Sequence, residues 1–186
     1  MIDRMPPLGP DSMTEEQRQA AHRLAAGPRG GVKGPFIALL RSPELMDRLQ
    51  KVGEYLRFGS SLEPRISEFV MLVVAREWTQ QFEWCVHTPL ALKAGLKPET
   101  LQSLADGCRP SAMTVDEEIA YDCCDELFRT RGLSQASYGR AVERFGERGL
   151  VDLLGLVGYF TTVSMVLNVA HTPAEGGMPA LRPFPL

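Results

Sequence analysis

Apolar residues recur along most of the chain with the spacing of an α-helix. The clearest case is RISEFVMLVVAREW, where Ile66, Phe69, Val70, Val73 and Val74 fall at i, i+3, i+4, i+7 and i+8. Pro64 stands just before it, at a position suited to the first helical turn. Thr14 with Gln17, and Thr114 with Glu117, have the spacing of capping boxes. They open EEQRQAAHRLAAG and EIAYDCCDELFRTRG. Ser42 before Pro43, and Ser134 before QASYGRAVERFG, read as further N-caps. Pro98 opens a short helix, ETLQSLADG.

The most apolar stretch runs from Leu150 to Ala170, within a helix expected from about Glu147. It is long enough for a membrane span. Asp152, Thr161, Thr162, Ser164 and Asn168 interrupt it, so a buried central helix is expected and no membrane segment. Gly155 and Gly158 would let a neighbour pack closely. No useful run of strand-like alternation is present. The pattern predicts an all-α bundle of about seven or eight helices. It forms one domain over 1–186, with an N-terminal arm over 1–35 and a proline-rich, glycine-rich tail over 172–186.

Composition sharpens this picture. The 186 residues suffice for a sizeable core. The net charge of −3 gives no basic field, so nucleic acid is not an expected partner. Cys85, Cys108, Cys123 and Cys124 form no CxxC pair, which argues against a disulfide framework or structural zinc. Free thiols suit a reducing compartment, so a cytoplasmic location is expected. The N-terminus MIDRMPPLGPDSM has no apolar run of a secretory signal.

Candidate chemistry concentrates in QQFEWCVH, residues 80–87, which holds one of only three histidines. Glu83 and His87 are i and i+4 and share a helix face. Cys85 is two residues from His87, about 200° round the axis, so the thiol points away from the imidazole. The helix carrying Ile66 is joined to this one by very few residues, which predicts an antiparallel hairpin. Glu68 lies ten residues before Trp78 and His87 nine after it, so the two face each other across the hairpin. Two carboxylates and an imidazole can divide general-acid and general-base roles. The alternative is a structural buried pair, with Glu83 solvated. Pro89 predicts a kink or break just after His87.

The loop GPRGGVKGPF lacks the GK[ST] ending of a phosphate loop, but Arg29 and Lys33 could meet a carboxylated ligand. Tyr159 and Asn168 could line a pocket, although core packing is the default. Cys123 and Cys124 are expected to pack as small hydrophobes. No metal or cofactor is expected.

The segment SEFVMLVVAREWTQQFEWCVHTPLALKAGL resembles the carboxymuconolactone decarboxylase family, whose fold is shared with alkyl hydroperoxidase D. Glu68 and His87 match that family's glutamate and histidine, and the likeness runs from about Pro35 to His171. The peroxidase branch has cysteines seven and four residues before the histidine. Gln80 and Glu83 stand at those positions here, so the two-cysteine mechanism does not carry over. The pattern EWxxH resembles the non-peroxidase branch. The resemblance implies an AhpD-like bundle, a small-molecule substrate, and a trimer or hexamer.

The implied function is a cofactor-independent lyase, decarboxylase or isomerase acting on a small carboxylated or lactone compound, as in aromatic-compound catabolism. His87, Glu83 and Glu68 are its catalytic candidates. Gln80, Trp84, Arg29, Lys33, Phe36 and Tyr159 are its substrate-contacting candidates. A peroxiredoxin-like thiol protein using Cys85, and a non-catalytic member, are the alternatives.

Overall fold

The computed structural model describes residues 2–174 and 179–183. Expectations for the remainder of the tail lie outside the described residues. The described residues form helices and no strands. A short 3-10 turn, Pro10–Ser12, precedes α1 (Glu15–Ala26), α2 (Pro35–Leu39), α3 (Pro43–Phe58) and α4 (Pro64–Glu77). Then follow α5 (Gln81–Lys93), α6 (Pro98–Ala105), α7 (Val115–Thr130) and α8 (Gln135–Ala170). The all-α AhpD-like bundle inferred from the sequence is the fold observed.

α4 is the axis of the molecule. Ten of its consecutive or near-consecutive residues, from Ile66 to Arg76, include eight fully apolar side chains, all buried, so the helix needs neighbours on every side. α5, α7 and α8 supply them, and α6 closes one end. α1, α2 and α3 make a second, smaller cluster around Leu24, Phe36, Leu40 and Met46. The segment before residue 35 is therefore part of the fold, since α1 packs on α3 through Ala20 and Leu24.

Both capping boxes form, at Thr14–Gln17 and at Thr114–Glu117. The Ser134 side chain also caps, accepting from the Ser137 N–H. Ser42 occupies its cap position without a side-chain bond, and Pro43, which has no N–H to satisfy, takes the first turn instead. Gly146, at φ 72, breaks α8 internally, so the apolar part does begin at Glu147. That part is long and apolar enough to cross a membrane, but 56% of its most apolar window is buried against protein. Gly155 gives close packing, because Leu56 of α3 would lie 3.1 Å from a Cβ there, whereas Gly158 faces open space.

Pro89 does not break α5, which continues to Lys93. The missing N–H costs the Cys85 carbonyl its usual donor. Trp84, Ala91 and Leu96, all in the core around α4, hold the helix in place around the proline.

Candidate active site

α4 and α5 are joined by Trp78, Thr79 and Gln80, with Thr79 in the left-handed region at φ 47. Gln80 is the N-cap of α5. Its Oε1 accepts from the Phe82 N–H at 2.6 Å and the Glu83 N–H at 3.4 Å. Its Nε2 donates to Asn168 Oδ1 at 2.9 Å, and Asn168 Nδ2 donates to the Trp78 carbonyl at 2.9 Å. The cap is thereby tied to α8. It fixes where α5 starts, and so which way Glu83 and His87 point.

The structure brings Glu68, Glu83 and His87 together. His87 Nδ1 lies 2.6 Å from Glu68 Oε2, across the hairpin. His87 Nε2 lies 3.3 Å from Glu83 Oε2, one helical turn away on the same face. The imidazole is buried, and its ring meets Phe160 edge-on with centroids 5.1 Å apart. Glu83 is buried too, at 4% exposure, so the solvated alternative for it does not apply.

Burial is the largest single influence on His87 and favours the neutral ring. The Glu68 and Glu83 carboxylates together outweigh it, and His87 titrates above its usual 6.5. A neutral imidazole has one donor nitrogen and one acceptor, yet both nitrogens here face carboxylate oxygens. The imidazolium satisfies both. The two contacts differ. The short bond to Glu68 holds the ring, and the longer contact to Glu83 is the one that an incoming molecule can exchange.

Glu83 and His87 lie on the wall of a cavity of ≈ 590 Å³. Phe82, Tyr159 and Phe160 supply apolar surface. Arg29, Lys33 and Phe36 reach the wall from the glycine-rich loop and α2. The loop can come this close because Gly34, at φ 54, has no side chain: a Cβ there would lie 2.5 Å from the Phe82 ring. Glu68 stands behind the imidazole and is not part of the wall.

Gln80 and Trp84, expected to contact substrate, do not line the cavity. Gln80 is spent on the cap, and Trp84, 2% exposed, is packed in the core around α4. Asn168 is likewise taken up by Gln80 and Trp78. Cys85 is absent from the wall, and its Sγ accepts from Gln81 Nε2 at 3.3 Å. The Gln81 amide also binds the tail, through the Pro179 carbonyl and the Leu181 N–H. Cys123 and Cys124 are buried, and burial pushes the Cys123 thiol up to about 11 and Cys124 further.

Sequence reasoning missed Arg57, Phe82 and Phe160. Arg57 had one signal: it lies one turn after Gly53, a glycine inside an otherwise good helix.

Residues 43–114 match the sequence model of the Carboxymuconolactone decarboxylase family. Over this segment the chain is similar to that family. The segment carries α3 to α6, and with them Glu68, Glu83, His87 and Arg57. Arg29, Lys33, Phe36, Tyr159 and Phe160 lie outside the matched segment, so much of the cavity wall is this chain's own. No curated protein matches the chain.

Proposed function

We propose that the protein is a cofactor-independent enzyme that moves a proton to or from carbon in a small carboxylated or lactone compound, as a lyase or an isomerase. One observation carries the reading: a buried histidine, bonded to carboxylates at both nitrogens, opens onto a cavity through His87 and Glu83. A charge-coupled acid–base pair on the wall of a cavity of substrate size is the arrangement that proton-transfer chemistry needs.

The roles follow from the contacts. Glu68 fixes the ring and its charge through Nδ1. The Nε2–H faces the cavity side, where Glu83 lies. A substrate carbonyl that reaches this pair takes the Nε2–H as a hydrogen bond. The imidazolium then stabilises the enolate that forms when the α-carbon loses a proton or carbon dioxide. Loss of carbon dioxide leaves the bonding electron pair on the enolate. Protonation of the carbon by His87, with Glu83 as its acid–base partner, completes the lyase reaction. For isomerisation, Glu83 removes the proton and the pair returns it at another carbon.

The test is turnover of a panel of β-keto acids and unsaturated lactones, read as carbon dioxide release and as deuterium incorporated from solvent. The expected result is activity in the wild type and in Cys85→Ser, with a roughly 100- to 10,000-fold loss in His87→Gln. Full activity in His87→Gln refutes the reading. So does a hydroperoxide activity that disappears with Cys85.

A further inference from the structure

The cavity has a second chemical feature, set apart from the imidazole. Arg29, from the glycine-rich loop, and Arg57, from the last turn of α3, both reach its wall. They are near enough for each charge to count: Arg57 disfavours the charged form of Arg29, after burial, the largest influence, has already pulled Arg29 down. Like charges gathered in a half-buried place raise the cost of that place unless something of opposite sign joins them.

Opposite charge reaches Arg29 only at a distance, from Glu83 and Glu54, and burial and Arg57 outweigh it. Among the described residues, neither Arg29 nor Arg57 makes an ion pair within 4.0 Å. Arg29 Nε and Nη2 and Arg57 Nε are shielded from solvent and have no hydrogen-bond acceptor. Two carboxylates share the wall, Glu83 and Asp3. Glu83 is held at His87, and Asp3 accepts from the Met5 N–H at 2.9 Å. Lys33, exposed at the same wall, adds a third positive charge.

Both guanidiniums are held by their faces. Arg29 lies over the Phe36 ring, 4.5 Å from its centroid, and Arg57 lies 5.2 Å from the Phe58 centroid. Face contacts use no N–H donors, so N–H edges remain for a planar acceptor, with the Tyr159 hydroxyl beside the Arg29 edge. The Tyr159 hydroxyl and Arg29 Nη2 are both packed against Gly53. Tyr159 feels Arg29, Arg57 and Glu83 together, so it lies between the cationic end and the acid–base end.

We infer that Arg29 and Arg57 form an anion subsite that seats the carboxylate of the substrate, leaving its reactive carbon at Glu83 and His87. The inference rests on the proton-transfer reading for what happens at the other end, but binding at the subsite does not. A carboxylate suits paired guanidinium edges better than it suits the point charge of Lys33, whose place at the mouth fits attraction of the anion.

The test uses 4-oxopentanoate, which carries a carboxylate and a ketone, and its neutral methyl ester, titrated by calorimetry. The acid is expected to bind the wild type at least about tenfold more tightly than the ester. Arg57→Gln and Arg29→Gln are each expected to remove about that factor for the acid and to leave the ester unchanged. Arg57→Lys is expected to recover little, because it keeps the charge and loses the planar edge. Circular dichroism melting confirms that each variant is folded. Equal binding of acid and ester, undiminished acid binding in both Arg→Gln variants, or no binding of the acid to the wild type overturns the subsite. Deuterium exchange at the carbons flanking the ketone, in wild type and His87→Gln, reads the proton transfer separately. Acid binding that persists without exchange rejects the transfer and keeps the subsite.

Discussion

His87 Nδ1 and Glu68 Oε2 meet at 2.6 Å although they belong to different helices, because a three-residue turn brings α4 and α5 back to back. The bond is what lets a buried imidazole stay protonated. Glu68→Gln removes the charge and keeps an acceptor. The His87 pKa is expected to fall, since burial then meets less opposition. Its ring proton shift, followed against pH by NMR, measures this directly. An unmoved titration would mean that Glu68 does not set the charge of His87.

The same bond makes stability depend on pH. The native pKa of His87 is raised above its unfolded 6.5. Its contribution is therefore fully present below about 6.5 and is lost as pH rises through the native value. If the imidazolium is the working acid, activity has an alkaline limb in the same window. Glu68→Gln is expected to shift that limb to lower pH and to flatten the alkaline loss of melting temperature. A pH–rate profile and a set of melting curves check the two together.

Gln80 offers a second test, because its cap and its link to α8 act on one helix end. Gln80→Ala removes both. The expected cost is about 1–2 kcal/mol of stability, as for loss of other side-chain caps. Activity is expected to fall as well, since a shifted start to α5 turns Glu83 and His87 away from their positions. Asn168→Ala cuts only the link to α8 and is expected to cost less. Chemical denaturation of both variants separates the cap from the link.

Asp152 is a test of the scaffold alone. Its carboxylate accepts from the Ser61 N–H at 2.8 Å, the Ser61 hydroxyl at 2.8 Å, the Ser60 hydroxyl at 3.3 Å and the Tyr55 hydroxyl at 3.0 Å. Burial, the largest influence, raises its pKa, but these donors together outweigh it and hold it below the usual 3.8. Its stabilisation is present above the unfolded value and is lost as pH falls through the native one. Asp152→Ala is expected to cost on the order of 3 kcal/mol at neutral pH, because it strands these donors at the junction of α3, α4 and α8. A smaller loss at pH 3 than at pH 7, in matched denaturant curves, is the expected signature.

Much of this was legible in the sequence because it is local. The helix period fixes which side chains share a face, so Glu83 beside His87 and Cys85 turned from it follow from counting. The hairpin needed only a short connection, and that placed Glu68. What the sequence could not show depends on third helices. Trp84 and Gln80 flank Glu83 in sequence, but α4 takes the indole into its core and α8 takes the amide. Arg57 is far from His87 in the chain, and only the packing of α3 on α8 puts it at the same cavity. Local rules predict a kink or a break at Pro89, and tertiary packing carries α5 through it to Lys93 without a break.

Gly53 ties the scaffold to the cationic end of the cavity. It sits inside α3, where glycine costs roughly 1 kcal/mol relative to alanine, so in a free helix Gly53→Ala would stabilise. Here a Cβ would collide with the Tyr159 hydroxyl and would lie 2.7 Å from Arg29 Nη2. Arg29 is half-exposed and can swing aside, whereas the Tyr159 ring is packed edge-on against Phe160 with centroids 5.3 Å apart and cannot move far. The expected outcome is a loss of about 1–3 kcal/mol from overpacking, in place of the gain that helix propensity alone would give. Binding of a carboxylate ligand is expected to weaken with it, since Arg29 must leave its place over Phe36. Gly53→Ala combined with Tyr159→Phe removes the hydroxyl but keeps the ring carbon Cζ that also collides, so it is expected to recover little of the stability. If the single variant is instead more stable than wild type, the close approach of α8 and the loop to α3 at this point is wrong.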